Sequence, residues 1–228
     1  YYAPDFRTPK GLVPGTPGEY VTESVVNKSI QWLKKGRDKE KPFMLMVQHK
    51  APHRFWLPPV HLLEEYTSKN YPEPKSLFDD YQGRGTPANT QDMTLRVTMD
   101  LALDNKMVPF RQDRMNEAQR KQWNKVYDGI RADVLKKRPQ GDDLVRWKYQ
   151  RYMADYLACI KSLDESVGTM LDYLDESGLA ENTVVIYASD QGFFLGEHGW
   201  FDKRFMYEES LKTPLLVRWP GVAKAGTV

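Results

Sequence analysis

The sequence predicts an α/β fold built around a largely parallel central sheet. Two short apolar runs, Phe43–Val47 and Thr183–Ala188, have the length and composition of strands buried on both faces. Between them, the stretch Leu144–Leu174 repeats apolar residues at three- and four-residue spacing, which indicates a long amphipathic helix. A helix between two buried strands is typical of a parallel sheet, because parallel neighbours need a crossover connection.

The chain begins with a loop and a short helix. Residues 1–19 are rich in Pro and Gly, which interrupt regular structure. We expect a helix from Thr22 to Lys35, with Thr22 as its N-cap and Gly36 at its end. Its apolar residues fall on one face: Val25, Val26, Ile30 and Leu33. A charged turn then leads into the first predicted strand.

Residues 66–143 are the most irregular part of the chain. We expect a variable, basic insert of surface loops that contains one helix, at Met115–Lys137. The stretch from Lys106 to Arg151 holds 13 Lys and Arg against 6 Asp and Glu. Such a local positive charge could steer a polyanionic substrate, or it could belong to a solvated helical face.

The last part of the chain supplies two more predicted strands. Gly178 is placed to end the long helix, and the run Thr183–Ala188 follows it. A third apolar run, Pro214–Trp219, is closed by a Pro-Gly pair. Ligands of α/β sheets bind beyond the carboxyl ends of the strands, so residues that directly follow these runs are the first candidates for a site.

Composition excludes several classes of protein. Hydrophobic residues are 40% and charged residues 28%, and the net charge of +2 gives no support for nucleic acid as a partner. No apolar run approaches the length of a membrane span. The single cysteine, Cys159, excludes an intrachain disulfide. It lies within the long predicted helix, where we expect an ordinary packing or surface position and not a nucleophile. The first residue is Tyr1 rather than Met, and we expect an internal piece of a longer protein.

Two groups of polar residues stand where chemistry is expected. Asp190 and Gln191 follow a strand directly, and their oxygen atoms suit a hard cation, although Asp before a polar residue and Gly is also a common turn. His53 follows the first strand on the same predicted edge. His198 and Lys203 lie in a glycine-flanked loop, where a His and a Lys could hold an oxyanion or protonate a leaving oxygen. In proteins generally, a His or Lys in a loop is more often an ordinary surface residue, and this alternative applies to His53, His198 and Lys203.

Three segments, in this order, resemble the sulfatase family. The strand leading into Pro52-His53 is similar to the family's strand before a Pro-His pair. The strand ending in Asp190-Gln191-Gly192 is similar to the one that ends in Asp-Asn-Gly or Asp-Gln-Gly. The third segment runs from Gly196 through His198 and Lys203 to Gly221. The resemblance implies an alkaline-phosphatase-like sulfatase sandwich whose sheet is incomplete at both ends of this chain.

The resemblance also implies roles for individual residues. Asp190 and Gln191 correspond to two ligands of Ca²⁺, with Mg²⁺ as the less favoured ion, and Gln stands where Asn is commoner. His53 corresponds to the histidine that contacts the sulfate ester. Lys203 corresponds to the lysine that binds a sulfate oxygen and stabilises charge in the transition state. His198 resembles a residue near the sugar-binding mouth.

The sequence departs from the family pattern at the nucleophile. Sulfatases attack with a formylglycine made from Cys or Ser in a Cys/Ser-x-Pro/Ala-x-Arg motif, and Cys159 is followed by Ile-Lys-Ser-Leu. The paired N-terminal aspartates of the calcium site are also absent. We therefore expect residues 1–228 to be part of a sulfatase catalytic domain, with the nucleophile segment upstream and the C-terminal subdomain downstream.

The segment from Asp202 to Arg218 looks most like N-acetylglucosamine-6-sulfatases that degrade heparan or related glycans. The expected partner is a sulfated carbohydrate, and the resemblance places such enzymes in the periplasm, outside the cell or in the lysosome. Two alternatives remain open: a phosphoester or phosphonate hydrolase of the same superfamily, and a glycan-binding protein that has lost catalysis. An upstream nucleophile motif would favour the enzyme, and its absence the binding protein.

These expectations make a direct prediction about the 228-residue chain. Purified alone, it should release no sulfate from a 6-sulfated glucosamine, because its only cysteine cannot become the nucleophile. Ion chromatography of released sulfate measures this, with the full-length enzyme as positive control. Turnover by the isolated chain, free of contaminating enzyme, would contradict the assignment of the nucleophile to another segment.

Overall fold

The computed structural model describes residues 1–227, and contacts divide the chain into two compact units. The first unit contains Tyr1–Tyr71 and Asp100–Met170, and the second contains Pro72–Met99 and residues 171–227. The predicted insert at 66–143 is thus divided between the two units.

The first unit is mainly helical. Its regular elements, in order, are β1 (Phe6–Thr8), β2 (Gly11–Val13), α1 (Val21–Gln31), α2 (Leu63–Thr67), α4 (Glu117–Lys137) and most of α5 (Gly141–Glu176). Helix α3 (Thr86–Thr90) lies in the second unit. Strands β1 and β2 pair as an antiparallel hairpin, and a turn of π-helix, Trp32–Gly36, extends α1.

The structure confirms the three helices that the sequence predicts. Helix α1 begins one residue before Thr22, so Thr22 as N-cap is wrong: Tyr20 takes that place without a side-chain bond, and Thr22 is buried in the first turn. Helix α4 begins with a capping box, in which Asn116 and Gln119 each accept a hydrogen bond from the other's backbone N–H. Helix α5 matches the long predicted helix, and Gly178 follows its end with φ of +71°.

The prediction of a strand at Phe43–Val47 is wrong within the described residues. The segment 43–47 is not assigned to any strand. Its side chains alternate between half-buried and exposed, and Met44 is 83% exposed. The local pattern therefore matches an extended chain, but a strand also needs a neighbour for its backbone N–H and C=O groups.

Aromatic side chains make the core of the first unit. Tyr2, Tyr20, Trp123 and Tyr127 are each at least 97% buried, together with Leu57, Leu63 and Met115. The Tyr2 ring meets Trp123 edge-on, with 6.0 Å between ring centroids. This core joins the N-terminal loop, the start of α1 and one face of α4.

A charged cluster is buried beside that core. Lys106 is fully buried, and its Nζ lies 2.7 Å from Asp155 Oδ2 and donates to the Asp104 carbonyl at 2.7 Å. Tyr127 Oη donates to Asp155 Oδ1 at 2.7 Å, and Arg151 Nη2 approaches the same oxygen at 3.2 Å. Both interpretations of the basic stretch are therefore incomplete, since three of its cations, Lys106, Lys148 and Arg151, are buried.

The second unit contains the remaining strands. Its regular elements are α3 (Thr86–Thr90), the end of α5, β3 (Val185–Ala188), β4 (Phe194–Leu195), β5 (Phe201–Asp202), α6 (Glu208–Leu211) and β6 (Leu215–Arg218). Its core is the aromatic cluster of Phe194 and Trp200 with Ala88, against which Tyr81, Phe205 and Tyr207 pack.

Both strands predicted in this unit are present, but their pairing differs from the prediction. Strand β3 pairs antiparallel with β6, and every strand pair among residues 1–227 is antiparallel. Apolar side chains on β3 and β6 remain exposed, with Ile186 at 63% and Leu216 at 65%. The larger parallel sheet stays a prediction. Across residues 1–227, no helix is both long and apolar enough to cross a membrane.

The buried cluster predicts an asymmetric effect of removing a lysine. Lys106→Met in the full-length protein should destabilise it by about 3–5 kcal/mol, because Asp155 then keeps a buried charge without its ammonium partner. Lys125→Met is the matched control, since Lys125 is 72% exposed in its pair with Glu64, and it should cost about 1 kcal/mol or less. Thermal unfolding measures both, and equal shifts in Tm would contradict the role given to Lys106.

Candidate active site

Asp190 and Gln191 lie in the turn that follows β3. Ser189 Oγ donates to the Gln191 carbonyl at 2.8 Å, which holds the turn closed. The Gln191 amide nitrogen lies 3.4 Å from Asp190 Oδ2, so the two side chains meet beyond the strand end. The Asp190 carboxylate is exposed.

The donor set fits part of a calcium site. A carboxylate and an amide carbonyl are hard oxygen ligands, and rotating the Gln191 amide by 180° would bring its oxygen beside Asp190. Ca²⁺ takes about six to eight oxygens, so this pair supplies a minority of them. Among residues 1–227, no cluster of three or more His, Cys, Asp or Glu side chains is arranged to hold a metal.

Gly192 fixes the position of this turn. Its N–H donates to the Ser210 carbonyl at 2.8 Å. A Cβ at position 192 would lie 2.2 Å from the carbonyl oxygen of Glu209 and 2.8 Å from that of Lys212. Only glycine leaves room for this approach, so the absence of a side chain sets the turn against the end of α6.

A tight hairpin brings Lys203 to the same turn. Strands β4 and β5 pair with Phe194 opposite Asp202, and continuing this register places Lys203 opposite Phe193. The Lys203 ammonium lies 5.8 Å from the Phe193 ring centroid, two residues beyond Gln191. The Lys203 side chain is 19% exposed, and its Nζ is 4.0 Å from the Asp202 carboxylate. The hairpin thus places a cation beside Phe193, in the segment that directly follows the predicted metal ligands.

His198 occupies the connection between β4 and β5 and is mostly buried. Its φ is +58°, and Gly196 and Gly199 on either side also have positive φ. Only 12% of its side chain is exposed. Its Nδ1 lies 2.7 Å from Asp79 Oδ2, and its ring packs at 5.2 Å from Trp200 and 5.3 Å from Tyr207 between centroids.

His53 lies in the first unit, in a loop held by side chains. Its Nδ1 is 2.8 Å from the Arg54 carbonyl, which can only accept, so Nδ1 carries the proton of this hydrogen bond and Nε2 takes no part in it. The His53 carbonyl accepts from Tyr1 Oη at 2.5 Å. Arg54 binds the buried Asp104 carboxylate through two nitrogens, at 2.7 and 2.5 Å.

The structure therefore brings Asp190, Gln191 and Lys203 to one region of the second unit. His198 is in the same unit but packs into its interior. His53 belongs to the first unit, and its approach to the others stays a prediction. Sequence reasoning missed the residues that hold these groups, Asp79 and Asp104 among them, because nothing local in the sequence distinguishes them from other loop aspartates.

Comparison with known proteins identifies the class. The sulfatase family model matches residues 1–228, and the chain belongs to the sulfatase family. It is 42% identical, over its entire length, to the N-acetylglucosamine-6-O-sulfatase of Bacteroides thetaiotaomicron. It is 30% identical over 88% of its length to an arylsulfatase of Clostridium perfringens.

The fold agrees with this family. A solved structure of BT4656 in complex with its substrate D-glucosamine-2-N,6-O-disulfate superposes with a TM-score of 0.94 and 42% identity over 99% of this chain. The sulfatase, alkaline-phosphatase-like fold is thereby confirmed for this chain. The chain spans 42% and 32% of the two curated relatives and 48% of the solved one.

The close approach at Gly192 predicts the effect of one methyl group. Gly192→Ala in the full-length protein should cost about 1–3 kcal/mol of stability, because the Glu209 carbonyl must move away. Gly168→Ala in α5 is the matched control: its Cβ meets nothing within 4 Å, and Ala in a helix should add up to about 1 kcal/mol. Calorimetry distinguishes them, and a neutral Gly192→Ala would show that the turn is not fixed by this contact.

Proposed function

We propose that the full-length protein is a sulfuric ester hydrolase that removes sulfate from a sulfated sugar. The favoured substrate is the 6-O-sulfate of N-acetylglucosamine in a glycosaminoglycan. The observation that carries this proposal is the 42% identity over the whole chain to an N-acetylglucosamine-6-O-sulfatase. The hairpin that places Lys203 beside Phe193, two residues after Gln191, supports it with geometry.

In this proposal Asp190 and Gln191 are two ligands of a calcium ion, and the other ligands come from outside this chain. The ion, when bound, would draw negative charge from the sulfate oxygens. The nucleophile is a formylglycine in a segment upstream of residue 1, as is general in the family. Because Cys159 is fully buried and burial raises the pKa of its thiol to about 12, it stays protonated near neutral pH and takes no part.

Lys203 and His53 act on the sulfate group itself. The Lys203 ammonium would donate to a sulfate oxygen and offset the charge that builds on it as the ester bond breaks. With Nδ1 donating to the Arg54 carbonyl, His53 has only Nε2 to offer, and protonated Nε2 can donate to a sulfate oxygen or to the leaving sugar oxygen. Hydrolysis then yields the free sugar hydroxyl and inorganic sulfate. His198 is assigned to the sugar side of the site.

The compartment of the proposed enzyme follows from its resemblance to the sulfatase family. We assign it to the periplasm or the exterior of the cell, with the lysosome as the equivalent compartment in animals.

Lys203→Ala should reduce kcat by about 10²–10³ if its loss resembles that of one preorganised donor. The substrate is 6-O-sulfated N-acetylglucosamine, and sulfate release by the full-length, formylglycine-containing enzyme is the measurement. Lys212→Ala is the matched control, because Lys212 is exposed and lies in the same segment.

The same assay tests the proposed reaction against its alternatives. N-acetylglucosamine 6-phosphate is run in parallel, and preferred release of phosphate would favour the phosphoester hydrolase. Sugar binding without release of either anion, by protein with formylglycine verified by mass spectrometry, would favour the binding protein.

A further inference from the structure

The segment Pro72–Met99 holds the β4–β5 turn from several directions. The His198 N–H donates to Ser76 Oγ at 3.1 Å, and the His198 carbonyl accepts from Tyr81 Oη at 2.7 Å. The backbone N–H of Leu95 donates to the Gly199 carbonyl at 2.9 Å. Tyr81 Oη also accepts from Trp200 Nε1 at 2.8 Å. A segment that looks like a surface loop in sequence is therefore built into the turn that precedes Lys203.

One carboxylate of this segment reaches the imidazole itself. Asp79 Oδ2 lies 2.7 Å from His198 Nδ1 and 2.6 Å from Arg84 Nη2. The Asp79 and His198 side chains are only 11% and 12% exposed. Burial alone would raise the pKa of Asp79, but hydrogen bonds from His198, the Tyr81 N–H and Arg84 lower it to about 2. Asp79 is thus a fixed anion at neutral pH.

This geometry selects one arrangement of the ring. If Nδ1 lacked a proton, its lone pair would face the Asp79 carboxylate at 2.7 Å, which is repulsive. Arg84 Nη2 lies 3.2 Å from Nδ1, but it already donates to Asp79. A hydrogen bond from Arg84 to an unprotonated Nδ1 would therefore not offset the repulsion. Nδ1 therefore carries the proton and donates it, and Nε2 points toward Glu209, whose Oε1 is 3.9 Å away.

We infer that Asp79 is a positioning residue, which fixes the orientation and tautomer of His198 and through it the turn that precedes Lys203. Asp79 acts through its hydrogen bond with the His198 imidazole. The segment Pro72–Met99 is then a functional part of the protein, because it supplies the groups that hold this turn. The expected effect of Asp79 on kcat/KM rests on the proposed function. The expected effect of Asp79 on the orientation of His198 does not.

The kinetic test uses the full-length enzyme and a pair of neighbouring aspartates. Asp79→Ala should lower kcat/KM for 6-O-sulfated N-acetylglucosamine by about 10–100-fold, the size expected when a site residue is misplaced by about 1 Å. Asp79→Asn keeps an oxygen that accepts from Nδ1 and should recover part of the loss. Asp80→Ala is the matched control, because Asp80 is exposed and accepts a hydrogen bond from the nearby Gln82 N–H, and it should resemble the wild type.

A double-mutant cycle separates positioning from general loss of stability. If Asp79 acts through the imidazole, Asp79→Ala should cause little further loss of kcat/KM in a His198→Ala background. Additive effects of the two substitutions would overturn the inference. So would an Asp79→Ala loss that disappears when all variants are compared at temperatures equally far below their Tm.

A readout independent of activity keeps the inference separate from the proposed function. His198 in the wild type should react slowly with diethyl pyrocarbonate, as followed by peptide mass spectrometry. Asp79→Ala should speed its modification several-fold, while Asp80→Ala should not. If the enzyme releases no sulfate, the proposed function fails, and the rate of His198 modification alone tests the role of Asp79. Equal modification rates at His198 in wild type and Asp79→Ala would overturn the inference.

Discussion

The need to pair backbone carbonyls in irregular segments governs how this protein holds its candidate active-site residues. The loop at 51–58 has no helix or strand to satisfy its carbonyls. Three tyrosine hydroxyls do so instead: Tyr1 donates to His53, Tyr2 to Pro58 and Tyr20 to Leu57. Because Tyr2 and Tyr20 also form the aromatic core, the packing of the first unit and the placement of His53 depend on the same side chains.

In the second unit, a different set of side chains forms hydrogen bonds to the backbone of an irregular segment. Its hairpin turn takes up left-handed conformations at Gly196, His198 and Gly199, and a non-glycine residue there is strained. The contacts made by Ser76, Tyr81 and Asp79 compensate for that strain. On the other side, the missing side chain of Gly192 lets the Asp190-Gln191 turn sit against the end of α6. The placement of Lys203 therefore depends on one tight turn, and that of the Asp190-Gln191 turn on one close backbone approach.

The sequence predicts what local pattern determines and misses what distant contacts determine. Helix α5 was predictable because its apolar spacing persists for more than thirty residues, and the Asp190-Gln191 turn because it follows a β-branched run. Residues 43–47 have the composition of a strand but gain no partner in the described chain. Asp79 and His198 are 119 residues apart, so no spacing rule could join them. The sequence predicts Lys106 as part of a basic insert, because its partner Asp155 lies far away in the sequence, on α5.

Strands β3 and β6 have the composition of strands inside a parallel sheet, but their apolar side chains are exposed in this chain. Both strands carry apolar residues on successive positions, as strands covered on both faces do. In this chain those residues face water: Leu215, Leu216 and Val217 are 68%, 65% and 47% exposed. A two-stranded sheet is at best marginally stable alone, so this pair must draw its stability from what covers it. The chain spans 42% of the length of its curated relative, and the composition of β3 and β6 is that of strands that are covered on both faces.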